Sequence, residues 1–236
     1  MRFPKLHNFW LPPAYVLSLA ETPEREQVAL EHLRDDLGFQ VTPYHGFHGR
    51  NMGLSSVAGK MTQGMIGCQL SHMSLWKMLE ASDEEAFLVF EDDVLLAPKA
   101  KSTMEQAYRF SLPINWNMVF WGYCWCEPEQ MTQVNQSFSL ASLPPMCGHA
   151  YMIRKSTAKH LLPRINCDAP IDVQIRPLLQ EIGGVYVYSD PAFARQRSLV
   201  YTQPGDEKVP VVSEDHGIFQ SQTCERKAVD IRPLVS

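Results

Sequence analysis

No run of eighteen apolar residues occurs anywhere in this 236-residue chain, so no segment is expected to cross a membrane as a helix. The first apolar stretch, Tyr15 to Ala20, is too short for the core of a secretion signal. A basic excess is also missing. Twenty-one Lys and Arg stand against twenty-six Asp and Glu, a net charge of −5, which argues against nucleic acid as the main partner. The six cysteines include no C-x-x-C pair, and the Cys124-x-Cys126 doublet has no second knuckle, so a zinc finger is not expected. Free, mostly buried thiols are the simpler reading, and they suit a reducing compartment. A cytoplasmic chain with at most peripheral membrane contact is the expectation. Hydrophobic residues make up 45% of the chain and charged residues 20%, enough apolar surface for a sizeable core without staples.

The chain opens as strand, helix, strand. Ala14 to Leu19 is a short β-rich run. Thr22 is placed as an N-cap, Pro23 at the first helical position and Glu24 in the first turn; Val28, Leu30, Leu33 and Leu37 continue the helix to Gly38. Gln40 to Tyr44 reads as the second strand. This order predicts an α/β domain. Residues 45–64 read as a long loop, which in compact domains is usually functional or disordered. Further helices are expected over 65–81, 99–110, 156–162 and 171–182, the last broken at Pro177. Strands are expected at 87–90, 118–122, 147–153 and 185–188. One domain over 1–236 is expected, with its core at about 14–200 and an extended polar tail over 201–236.

The run Phe87 to Leu96, FLVFEDDVLL, sets three adjacent acids inside an apolar stretch. In open α/β sheets ligands bind beyond the carboxyl ends of the strands. Three neighbouring carboxylates repel unless a cation neutralises them, and hard oxygen ligands suit Mg²⁺ or Mn²⁺ shared with substrate phosphates. A solvated strand end is the plain alternative. A phosphate loop is absent: Gly53 to Met61 has its glycines one residue too far apart, and Met61 replaces the hydroxyl residue. An aspartyl phosphatase would carry its acids on the first strand of its domain, whereas here they arrive after 90 residues. Nucleotide-sugar transferases remain, in which a divalent cation stabilises the departing diphosphate.

Several blocks, in order, resemble glycosyltransferase family 25, which includes lipopolysaccharide galactosyltransferases and the collagen galactosyltransferase domain. They are Tyr15 to Leu19 followed by Glu24 and Arg25; Gly64 to His72 (GMIGCQLSH); Phe90 to Val94 (FEDDV); Met118 to Gly122; Cys147 to Tyr151 (CGHAY) with Ala158, Leu161 and Leu162; and Pro170 to Asp172. Met65 departs from the pattern, standing where the family usually has Glu.

The resemblance implies a GT-A-like nucleotide-diphospho-sugar transferase fold, with a mixed, mainly parallel central sheet flanked by helices. It implies an inverting, Mn²⁺- or Mg²⁺-dependent enzyme. The donor would be a UDP-sugar, UDP-galactose or UDP-glucose, and the acceptor a hydroxyl on a glycan or a hydroxylysine-type residue. Asp93 is the leading metal ligand, with Glu91 and Asp92 sharing metal and ribose contacts in an order left open; His216 is a candidate to complete the metal shell. Asp172 is either a helix N-cap carboxylate or the acceptor base or an acceptor-binding group. Arg25 is either a solvated helix residue or a donor contact, since a guanidinium suits a diphosphate. Ser71 and His72 either pack in the core or line the donor pocket. Gly148 and His149 are expected near the acceptor, and Gln196 is a weaker candidate. His45 and His48 lie in a loop and make a poor metal pair. Trp121, Tyr123 and Trp125 either stack on sugar or pack in the core. A binding module without turnover is the second reading, and a metal-dependent phosphatase the third.

Overall fold

A computed structural model describes residues 11–49, 61–124, 126–190 and 193–196. The elements in chain order are β1 (Ala14–Ser18), α1 (Pro23–Leu30), β2 (Val41–His45), α2 (Gln63–Ala81), β3 (Ala86–Glu91), β4 (Val94–Leu96), α3 (Ala100–Phe110), β5 (Met118–Gly122), β6 (Met131–Gln133), β7 (Phe138–Ala141), β8 (Ala150–Arg154), α4 (Lys155–Leu161), α5 (Ile171–Ile182), β9 (Val185–Tyr188) and β10 (Ala194–Gln196). Eight strands form one sheet in the order β2-β1-β3-β8-β5-β9-β7-β6, and β4 pairs with β10 in a separate ribbon. The ladders β1/β2, β1/β3 and β5/β9 are parallel; β8 runs against both β3 and β5, and β7 against β9 and β6. Only β7 and β8 are therefore reversed, and the other strands of the large sheet share one direction. The mixed α/β sheet flanked by helices matches the expected class.

Both faces of the sheet are covered, which is why β3 and β5 read as unbroken apolar runs. Alternate residues of β3 go to opposite sides. Ala86, Leu88 and Phe90 pack with Ala29 and Leu33 of the first helical segment and Met104 and Ala107 of α3. Phe87 and Val89 pack with Leu75, Trp76 and Leu79 of α2, Leu161 of α4 and Leu179 of α5. No described helix is long and apolar enough to cross a membrane.

Several boundaries differ from the sequence expectations. Thr22 does not cap α1 through its side chain; its hydroxyl donates to the carbonyl of Leu19 at 3.2 Å. The helix continues past Leu30 as a wider π-type segment, Glu31–Asp36. Helix α2 starts two residues early because Thr62 caps it, accepting from the amide of Met65 at 3.2 Å. Helix α5 is not broken at Pro177. Burial of Ile175 and Leu179 on either side holds it across the missing amide. The cysteines among the described residues are not buried thiols: Cys68 is exposed, and Cys124, Cys126, Cys147 and Cys167 are half-buried; Cys224 lies outside the described residues. Strands β4, β6, β7 and β10 were not expected.

Candidate functional site

The shared strand direction brings the carboxyl ends of β1, β2, β3 and β5 to one edge, where the reversed strand β8 begins. Ser18, His45, Glu91, Gly122 and Ala150 therefore lie along one line, with Gly148 and His149 just before β8. The acids of the FLVFEDDVLL run sit where β3 leaves the sheet. Glu91 is its last residue, Asp92 and Asp93 form the turn, and β4 then departs to pair with β10.

Two cavities open at this edge and share a wall made by Gly64, Cys68 and Glu91. The larger, about 720 Å³, is polar and is lined by Ser18, Arg25, His48, Ser71, Asp92 and Asp93 among others. The smaller, about 390 Å³, is mainly apolar, with Trp76, Met118, Phe120 and Tyr151 in its walls and Glu91, Asp172 and Gln196 as polar groups.

The three acids have different partners. Asp92 is ion-paired with Arg25. Asp93 stands 3.9 Å from Arg25 Nη2 through Oδ2, and its Oδ1 is buried with no hydrogen-bond partner among the described residues. Burial, with the charges of Glu91 and Asp92, pushes the Asp93 carboxyl up to about 7 against the pull of Arg25 and His149. Burial likewise raises Asp92, countered in part by Arg25. Glu91 places Oε1 3.3 Å from His72 Nε2 and accepts from Gln196 Nε2 at 3.3 Å. Burial pushes Glu91 up, but His72, His149 and Gln196 outweigh it and hold its carboxyl below the ordinary value.

His72 belongs to a buried chain of polar rings. Its Nδ1 lies 2.8 Å from Tyr151 Oη, which accepts from Trp76 Nε1 at 2.9 Å. Burial lowers its basicity, but Tyr151, Cys68 and Glu91 outweigh that and raise it well above the ordinary histidine value. His72 and Gly148 line the smaller cavity, whereas His149 lines neither. His149 sits behind the wall, with Nε2 3.2 Å from the carbonyl of Ala194. A Cβ on Gly122 would come within 2.3 Å of that nitrogen, so glycine is what lets His149 and β10 close against β5.

Ser71 holds a loop against α2. Its hydroxyl accepts from the amide of Phe47 at 2.7 Å and donates to the carbonyl of Gly67 at 2.6 Å. Gly67 is needed there, since a Cβ would meet the Phe47 carbonyl at 2.6 Å and the Gly49 amide at 2.8 Å. Asp172 lies in the first turn of α5, not at its cap; Pro170 holds the cap position. Its oxygens accept from the amides of Val173 at 3.0 Å and Cys147 at 3.4 Å.

Trp121 is buried and packs edge-on against Phe138, 5.5 Å between ring centroids, as a core residue. Trp125, His216 and the 201–236 tail lie outside the described residues. Sequence reasoning passed over Glu26, which accepts from Ser18 Oγ and lies 2.8 Å from His45 Nε2. Its place beside Arg25 on α1 was the available signal. Cys68, inside the GMIGCQLSH block, was passed over as a thiol with a site role.

The profile of glycosyltransferase family 25 (LPS biosynthesis protein) matches residues 11–175, which takes in α1, α2, the acidic turn and the start of α5. The chain belongs to glycosyltransferase family 25. A putative glycosyltransferase of Haemophilus influenzae is 26% identical over 210 residues, 81% of this chain and 68% of that protein. A glycosyltransferase 25 family member of Aedes aegypti is 29% identical over 125 residues, 46% of this chain. The human inactive glycosyltransferase 25 family member 3 is 28% identical over 170 residues, 63% of this chain. The chain spans only 20% of the Aedes protein and 28% of the human one. A solved glycosyltransferase involved in the glycosylation of the major capsid of PBCV-1 is 13% identical, with a TM-score of 0.44 over 77% of this chain and 82% of that one. Each of the blocks read from the sequence contributes residues to one or both of the two cavities, among them Arg25, Cys68, Asp93, Phe120, Gly148 and Asp172. Met65, at the departure from the family pattern, lines the smaller cavity.

Proposed function

We propose that this family-25 chain transfers a hexose, galactose or glucose, from a UDP-sugar to the hydroxyl of a glycan or protein-linked acceptor. The observation that carries this reading is the buried, unpartnered Oδ1 of Asp93 beside the Arg25 guanidinium in the larger cavity. A buried carboxylate oxygen without a donor is costly unless a cation meets it. Hard oxygen donors suit Mn²⁺ or Mg²⁺, which complete their shell with phosphate oxygens. Asp93 fits as the ligand, with Glu91 or Asp92 as the second. When bound, such an ion would neutralise charge developing on the leaving diphosphate.

The residues of the chain supply the rest. Arg25 faces the diphosphate and adds positive charge where the leaving oxygen becomes negative. The apolar walls of the smaller cavity seat the acceptor sugar or side chain and exclude water. Asp172 takes the proton of the acceptor hydroxyl. The freed oxygen bonds to the anomeric carbon as the bond from that carbon to the diphosphate oxygen breaks, and the electron pair leaves with UDP. Attack from the acceptor side inverts the anomeric centre.

The human relative named inactive favours a second reading, a nucleotide-sugar-binding module without turnover. Incubation with UDP-galactose, Mn²⁺ and a panel of glycan and hydroxylysine acceptors separates the two. Release of UDP with matched product supports transfer. UDP binding without any product supports the module. Phosphate release from simple esters, with no UDP binding, overturns both in favour of a phosphatase.

A further inference from the structure

The wall between the two cavities carries a second set of metal-binding groups, which joins a thiol and an imidazole to Glu91 and leaves Asp92 as the second oxygen ligand beside Asp93. Cys68 and His72 are four residues apart on α2, so they share a helix face, and that face meets the end of β3 at Glu91. One ligand atom from each of Cys68, His72 and Glu91 lies within 4.8 Å of the other two. A tetrahedral Zn²⁺ with bonds of about 2.0 to 2.3 Å holds its donors about 3.3 to 3.8 Å apart. His72 Nε2 and Glu91 Oε1 are already at 3.3 Å.

The groups around this trio are those that orient metal ligands elsewhere. Tyr151 Oη, 2.8 Å from His72 Nδ1, can accept a hydrogen bond from Nδ1–H, which keeps the proton on Nδ1 and turns the Nε2 lone pair toward Glu91 and Cys68. Gln196 donates to the other oxygen of Glu91 and fixes its plane. Cys68 is exposed and borders both cavities, which gives an ion a way in.

We propose that Cys68, His72 and Glu91 bind a borderline transition-metal dication, Zn²⁺ or Co²⁺, with a fourth position open to the cavities. The sulfur donor separates this site from the all-oxygen chemistry of Asp93, which favours Mn²⁺ or Mg²⁺. Binding converts the Cys68 thiol to a thiolate and releases its proton to solvent. The site does not depend on the sugar-transfer reading.

The test is titration of the reduced, chelator-treated full chain with Co²⁺, read as thiolate-to-metal charge-transfer absorption and the visible bands of four-coordinate cobalt. One equivalent is expected to develop both. Cys68→Ser, a change at an exposed position, is expected to abolish the charge-transfer band and weaken Zn²⁺ binding by at least about tenfold. Asp93→Asn is expected to keep the band. Absence of a thiolate band at one equivalent overturns the proposal. So does an unchanged band in Cys68→Ser, or its loss in Asp93→Asn.

Discussion

Arg25, from the first turn of α1, is ion-paired with Asp92, 67 residues away at the end of β3, and stands 3.9 Å from Asp93. One guanidinium therefore serves two carboxylates that would otherwise repel. It satisfies Asp92 and leaves Asp93 with a bare oxygen. That inequality between adjacent acids is the observation on which the proposed cation and diphosphate site rests.

Removing the guanidinium should cost both stability and affinity. Arg25→Ala leaves the largely buried Asp92 carboxylate unpaired, a loss of about 1–3 kcal/mol. UDP affinity should fall with it. Arg25→Lys should recover part of the stability and less of the affinity, because an ammonium cannot make the paired planar contact. Thermal unfolding and UDP calorimetry on the two variants check this.

The acidic turn should make metal-free stability fall as pH rises. The Asp93 carboxyl sits at about 7 in the folded chain against an ordinary value of 3.8. The folded state thus holds the proton more tightly. No penalty applies below about pH 4; it grows between about 4 and 7 and is complete above, at most about 4 kcal/mol. In chelator, Asp93→Asn should unfold at a higher temperature than the wild type at pH 8 and at nearly the same temperature at pH 4. Equal melting temperatures at pH 8 would count against the buried, crowded carboxylate.

Closure of β10 should depend on Gly122. In Gly122→Ala the new Cβ meets His149 Nε2 at 2.3 Å and Ala194 Cβ at 2.8 Å. Overpacking of this kind costs about 1–3 kcal/mol. Because Ala194 and Gln196 share β10, the variant should also loosen the Gln196 contact with Glu91. Faster amide exchange at residues 194–196, with protection of β1 and β2 retained, is the expected signature.

Asp172 should affect turnover more than donor binding. It lines the smaller cavity and not the larger. Loss of a general base typically lowers turnover by about 10²- to 10⁴-fold. In Asp172→Asn, kcat should fall on that scale while UDP affinity stays near the wild-type value. A matching loss of UDP affinity would place Asp172 in donor binding instead.

The central strands were legible because covered faces force apolar runs; β5 and β9 fall where expected, and β3 gains a residue at each end. Helix α2 was legible in type but not in its start, which depends on a single Thr62 hydroxyl. Strands β4 and β10 were invisible: three residues each, they exist only because they pair across 100 residues of sequence. The crowding of three carboxylates at the end of β3 was legible from the local sequence. Their division of labour, with Arg25 on Asp92 and His72 on Glu91, depends on the meeting of α1, α2 and β3. His149 looked like a ligand contact from its block, yet the fold turns it toward Ala194 behind Gly122. Cys68 and His72 stand four residues apart on an expected helix, but their meeting with Glu91 at the end of β3 depends on the fold and was not legible.

The most direct test of the acidic-turn account is calorimetric titration of the full chain with UDP, in the presence and absence of Mn²⁺, for the wild type and Asp93→Ala. The account predicts that Mn²⁺ tightens UDP binding to the wild type and gives no gain in Asp93→Ala. An equal Mn²⁺-dependent gain in both proteins, or no UDP binding to the wild type with Mn²⁺ present, would contradict it.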